Sequence, residues 1–289
     1  MYSGYFDAAI YVLLSSLAFV FLDHLILGLN PLVALLAMSS IALLVFNLLS
    51  INKITQTYQV CWQHKSTYFW MSVGLAGDWI CMVYASHESD PFIAMAALFI
   101  SLALIGFLRL SLFEKNLTKL SSSTLLVLSL ILLVVFYKVP EKHSVCQGIF
   151  LGAIAGGAFY SYIANSAKLS MLGGLNSLQV LSTRFWLLWL IAFILVPKVN
   201  LWSNIYNNLN LLVPISFASL IIPIYFNQRA IQKLGAELTA VFIGLVPPVT
   251  FVCYVIYTHE FHWLNALVGL IITFALMLPT LFNSRASGG

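Results

Sequence analysis

Apolar runs of roughly 18 to 25 residues follow one another along the whole chain, separated by short polar punctuation. A helix of that length crosses a hydrocarbon core about 30 Å thick. The runs predict ten helices, at residues 5–22, 31–49, 67–85, 91–113, 120–139, 145–168, 177–196, 210–231, 237–257 and 264–281. Turn chemistry marks the cuts. Asn30-Pro31, Ser89-Asp90-Pro91, Val139-Pro140-Glu141, Gly173-Gly174 and Gly235 each interrupt an apolar stretch. Pro31 and Pro91 fall at first helical turns, where the missing N–H costs nothing. The first run lacks a basic leader and a small-residue cleavage site, so it reads as a retained helix.

The outline is written twice. Pro31 and Ser177 open corresponding runs, as do Pro91 and Glu237, and both pairs are 146 residues apart. The expected units are residues 1–140 and 141–289, with five helices each. An odd number of spans per unit inserts the second copy upside down, which is how many transporters build a cavity that opens to either side. Composition agrees with a lipid solvent: 61% of residues are hydrophobic and 8% charged, against about 25% charged in soluble domains. With the N-terminus in the cytoplasm, Lys53, Lys65, Arg109, Lys115, Lys119, Lys168, Arg229, Lys233 and Arg285 fall on the cytoplasmic side. Only Lys138, Lys142 and Lys198 fall opposite. The bias predicts that both termini are cytoplasmic, and the net charge of +4 reflects topology, not a nucleic-acid surface.

These features together resemble the EamA-type, ten-helix branch of the drug/metabolite transporter superfamily, over essentially the whole chain. That family's halves carry a Pro-led second helix with an Arg seven residues on, and a fourth helix with a central Pro and a closing Glu. Here Ser177 takes the Pro place, Arg184 follows seven residues later, Pro247-Pro248 sits inside helix nine and Glu260 closes it. In the first half Pro31 and Glu114 are present, Met38 stands where the Arg would be, and no Pro lies near Ser101. The resemblance implies a cavity lined by helices one, three, four, six, eight and nine, with Trp79, Tyr84, Tyr160, Tyr225 and Asn227 as candidate cavity residues.

Arg184 and Asp78 are the costly residues. An Arg at mid-bilayer costs about 2.5–3.5 kcal/mol on the lenient translocon scale, and the neighbours of Arg184 one turn away are Val180, Leu181, Leu187 and Leu188. Its partner must come from another helix or from a solute. It reads either as an anion contact in a cavity or as a structural Arg bonded to neighbouring carbonyls. Asp78 follows Gly74, Ala76 and Gly77, a segment suited to close helix approach or a cavity wall. It reads as a proton-coupling carboxylate, as a binder of a solute ammonium, or as the fixed partner of Arg184. Gly148, Gly152 and Gly156 form a close-packing stripe on helix six, followed by Tyr160, Tyr162 and Asn165. Pro247 and Pro248 predict a kink near the midplane, either a hinge or a static bend. The cysteines lack metal-ligand spacing, and His259, Glu260 and His262 read as solvated loop residues.

The expected protein is an all-α integral membrane transporter without a cofactor. Its expected solute is small and polar, with an amino acid or derivative first because an Arg and an Asp are both present. Protons are the candidate coupling ion, export or exchange the candidate direction, and a bacterial inner membrane the candidate location. Lipid is the surrounding partner, and a homodimer is compatible with the pattern. The rival reading is a membrane-embedded enzyme acting on lipid-linked or amphipathic substrates, although the ionisable residues are sparse and scattered for such chemistry.

Overall fold

A computed structural model describes residues 2–25, 29–88, 94–102, 104–105 and 142–259, with further helical positions between 261 and 273. Among these residues every regular element is a helix. The elements are α1 (Tyr2–Leu25), α2 (Pro31–Leu49), α3 (Ile54–Gln63), α4 (Lys65–Glu88) and α5 (residues 94–102). The second half supplies α6 (Lys142–Gly173), α7 (Ser177–Arg184), α8 (Trp186–Leu195), α9 (Leu201–Asn207), α10 (Leu209–Ile215), α11 (Ile222–Ile243) and α12 (Val246–Thr258). Among the described residues, five segments are long and apolar enough to cross a membrane: Ser3–Val20, Pro31–Leu49, Cys146–Gly173, Ser177–Leu195 and Leu209–Gly235. They mark an integral membrane protein. Predicted helix five, most of helix ten, and Pro91, Arg109, Glu114, Glu260 and His262 lie outside the described residues.

Local chemistry sets the helix starts. The Asn30 side chain accepts from Leu32 N at 2.9 Å, with Pro31 in the first turn. Asn176 and Gln179 form a reciprocal capping box at the start of α7. Gly235, at φ 82°, turns the chain within α11 at the position where the sequence predicts a cut.

Four departures from ten plain helices have physical causes. Expected loops contain the helices α3 and α9; α3 buries Thr57 and Cys61, four residues apart on one face. Helix seven divides at Phe185. The carbonyl of Ser182 there accepts from Asn47 and Tyr58, and that of Thr183 accepts from Tyr68, in competition with the helical ladder. Helix eight widens into a π-turn over Ser216–Ile221, just before Pro223. Proline has no N–H to give, so the ordinary ladder cannot run past it unchanged. Helix nine is likewise not one kinked rod. It stops at Ile243, and α12 restarts at Val246 with Pro247 and Pro248 in its first turn, where the lost N–H groups would be unpaired anyway.

Packing depends on small residues. A Cβ on Gly74 of α4 would lie 2.6 Å from Tyr162 N and 2.7 Å from Ala158 O of α6. On the other side of α6, a Cβ on Gly152 would meet Ala94 O at 2.6 Å, and one on Gly156 would run into Leu98 O. The glycine stripe therefore brings α6 into backbone contact with α5, as the four-residue spacing predicts. α1 packs along α11 and α12, and α2 along α7 and α8.

Candidate substrate cavity

A cavity of about 270 Å³ lies among α1, α2, α4, α5, α6, α11, α12 and the π-turn. Its walls are single helical stripes. Tyr11, Ser15 and Phe19 of α1 recur every fourth residue; Pro31, Ala34, Leu35 and Met38 form one face of α2. On α4 the stripe is Leu75, Asp78, Trp79, Met82, Val83 and Ser86. Phe99, Phe159, Tyr162, Ser219 and Asn227 come from the remaining helices. Leu29, Pro31 and Ser86 sit at one end of the bundle, and Tyr11, Leu75 and Asn227 sit near mid-helix. The helices implied by the resemblance are represented, with α2 in addition; α7 and α8 contribute no lining residue among those described.

Of the candidate residues, Asp78, Trp79 and Asn227 line this space. Arg184 does not. It is 0% exposed and donates to the Tyr162 hydroxyl, while its guanidinium carbon lies 4.9 Å from the ring centres of both Tyr162 and Phe185. Tyr162 stands between Arg184 and the cavity and donates to Gln228 Oε1 at 3.2 Å; Ser166 donates to the same oxygen at 2.8 Å. Asp78 and Arg184 form no salt bridge within 4.0 Å, although Tyr11, Asp78, Tyr162 and Arg184 lie within Coulombic reach of one another. Among the described residues, Arg184 Nε and Nη2, Asn227 Oδ1 and Gln228 Nε2 are buried without hydrogen-bond partners. Unpaired buried polar atoms are rare in folded proteins; here two of the residues that carry them, Arg184 and Gln228, bond Tyr162, and Asn227 lines the same cavity as Tyr162.

The other candidates lie outside the lining. Tyr84 packs with Leu32, Leu36 and Ala192, and Tyr160 packs against the main core. Tyr225 faces Arg229, whose guanidinium carbon is 5.5 Å from its ring centre. Pro247 and Pro248 are braced: Ser16 donates to Val246 O at 3.2 Å, Thr273 donates to Gly244 O at 3.0 Å, and a Cβ on Gly269 would lie 3.5 Å from Pro248 Cα. Pro248 cannot donate to Gly244 O, and the Thr273 hydroxyl takes that place. His259 is an exposed left-handed cap on α12. The tyrosine of α1 and the phenylalanines of α5 and α6 are absent from the sequence candidates. Their signal is the four-residue recurrence of Tyr11, Ser15 and Phe19.

The opposite end of the bundle is closed by polar contacts. Asp7 of α1, 2% exposed, pairs with Lys233 Nζ at 2.6 Å and Arg229 Nε at 3.3 Å on α11. Tyr58 of α3 donates to Asn47 Oδ1 at 3.1 Å and accepts from Trp186 Nε1 at 2.6 Å. Gln179 Nε2 reaches Thr57 at 3.0 Å, and Gln232 bonds Ser170, Ser177 and the Leu175 carbonyl at 2.5–2.9 Å. These bonds join the N-terminal end of α1, the C-terminal end of α2 and the α3 helix to α7, α8 and α11.

Fold and cavity together define a polytopic helical membrane protein with an internal, largely apolar pocket. No family model matches the sequence, and no curated protein matches it. The chain is similar to a protein of known crystal structure over 99% of its own length and 98% of the other's, with a TM-score of 0.65 and 14% identity. That likeness concerns the fold alone.

Proposed function

We propose that this protein is a secondary active transporter of the EamA-like, ten-helix drug/metabolite type, working by alternating access. Its solute is a small polar or amphipathic metabolite, such as an amino acid or derivative, bound at Asp78, Trp79 and Asn227. Residues 1–140 and 141–289 act as inverted repeats, both termini are cytoplasmic, and the membrane is a bacterial inner membrane. Asp78 also carries the coupling proton, and export or exchange is the direction.

The observation that carries this reading is the polarity of the bundle: a solute-sized cavity toward one end and a hydrogen-bonded closure at the other. Contact symmetry supports the repeat. Exchanging helices one with six and three with eight turns the α4–α6 contact into the α1–α11 contact. The same exchange, with four and nine, turns the α5–α6 contact into the α1–α12 contact. The closed end also holds Lys53, Lys65, Lys168, Arg229 and Lys233, as a cytoplasmic face does.

The test is counterflow in proteoliposomes, with a labelled solute outside and a panel of unlabelled amino acids, amino-acid esters and amines inside. Accumulation driven by one internal solute, and collapse of uphill uptake when the pH gradient is dissipated, are expected. Uptake equal to that of empty vesicles for the whole panel contradicts the reading.

A further inference from the structure

We infer that the cavity selects organic cations, and that the preferred solute is a small amine with an apolar body and no free carboxylate. The inference rests on the transporter reading and narrows the solute class of the same site. The sequence alone brings an Arg and an Asp together and so favours a zwitterion. The geometry separates them. Among the described residues that line the cavity, Asp78 is the one formally charged side chain, and none is Lys, Arg or His. Arg184 is 0% exposed and lies behind Tyr162, held by that hydroxyl and sandwiched near two aromatic faces. A solute carboxylate could meet Arg184 only if the Tyr162 side chain, bonded to both Arg184 and Gln228, swung aside.

The second polar group points the same way. Asn227 lines the cavity, and its Oδ1 has no partner among the described residues. The Asp78 carboxylate is acceptor-only and the Asn227 amide has an unused acceptor, so together they suit a head with several N–H donors. An ammonium supplies three; a carboxylate supplies none. The remaining walls complete a cation site. Tyr11, Phe19, Trp79, Phe99, Phe159 and Tyr162 provide ring faces, which attract cations and cover an apolar body. A free carboxylate on the solute would find neutral hydroxyl, indole and amide donors in the described lining but no cation, and it would be repelled by the like charge of Asp78. The volume, about 270 Å³, is at the small end of ligand sites, which run from about 300 to 1,000 Å³.

Three probes with the same phenyl body separate the charge types: phenethylamine, phenylalanine and 3-phenylpropionate. Binding is measured on the purified full chain by calorimetry, beside counterflow of each probe in proteoliposomes. Phenethylamine is expected to bind saturably, phenylalanine at least tenfold more weakly, and phenylpropionate not at all. Asp78→Asn is expected to weaken the amine at least tenfold. Asn227→Leu, which leaves the carboxylate in place, is expected to weaken it severalfold, and each variant's melting temperature reports whether it folds. Equal or tighter binding of phenylalanine or phenylpropionate, or amine binding that survives both substitutions in folded protein, overturns the inference. If none of the three binds while another solute still drives counterflow, the cation inference falls and the transporter reading stands. If the amine binds but no solute drives counterflow, the transporter reading falls and the binding site stands.

Discussion

The two ends of the bundle use polar residues in opposite ways. At the basic end most are paired across helices: Asp7 with Lys233 and Arg229, Tyr58 with Asn47 and Trp186, Gln179 with Thr57, while the Ser50 hydroxyl there is buried without a partner. Around the cavity they are incompletely paired, at Asn227 in its wall and at Gln228 and Arg184 behind Tyr162. Hydrogen bonds in a low-dielectric setting favour closure where every partner is present and leave a penalty where one is missing. In the proposed transporter the paired end acts as a clasp, and Asp78 and Asn227, which line the cavity, are the polar groups that face a solute. Under the proposed alternating access, a solute that supplies a missing partner shifts the balance between closed and open ends only by its differential affinity for the two states.

This contrast can be broken from either side. The largest effect is expected at the clasp. Removing both cations in Arg229→Met/Lys233→Met strands the buried Asp7 carboxylate, a loss of about 3 kcal/mol. A lowered melting temperature should accompany it, with restoration by adding Asp7→Asn. No change in melting would mean that the clasp carries no stability. Next is Asp78→Asn, which should reduce transport at least tenfold while leaving the melting temperature close to that of the unmodified chain; retained transport would place the site elsewhere. Tyr58→Phe removes the hydroxyl that joins Asn47, Ser182 and Trp186. It should cost about 1 kcal/mol and raise hydrogen exchange in α3, but not in α12. Ser86→Ala, at the cavity's end, should change transport by less than twofold, because it removes one hydroxyl at the rim.

Much of the frame was legible in the chain. Apolar run length places α1, α2, α4 and α6, the Asn30-Pro31 and Asn176 starts carry their own caps, and Gly152 and Gly156 announce backbone contact. Each is a local signal, readable from neighbours in sequence. The division at Phe185 is not local: it depends on Asn47, Tyr58 and Tyr68 reaching the carbonyls of Ser182 and Thr183. The placement of Arg184 is the same kind of fact. Its cost inside a membrane was plain from sequence, but its partner, Tyr162, comes from another helix 22 residues away. Asp78 was readable because the small residues before it belong to its own helix. The prolines at 247 and 248 were visible, whereas their use as a helix start depends on the stop at Ile243 and on the hydroxyls of Ser16 and Thr273.

The difference in access between the two ends is the claim on which the account stands, and cysteine labelling reads it directly. In a background with Cys61, Cys81, Cys146 and Cys253 replaced, Ser86→Cys and Asn47→Cys report the cavity and the clasp. A membrane-impermeant maleimide is applied to each face of oriented vesicles, with and without a bound solute. The account predicts that Ser86→Cys reacts from the face opposite the basic end and Asn47→Cys is protected, and that a transported solute shifts this ratio. Equal reactivity at both positions from both faces, unaffected by any solute, would contradict it.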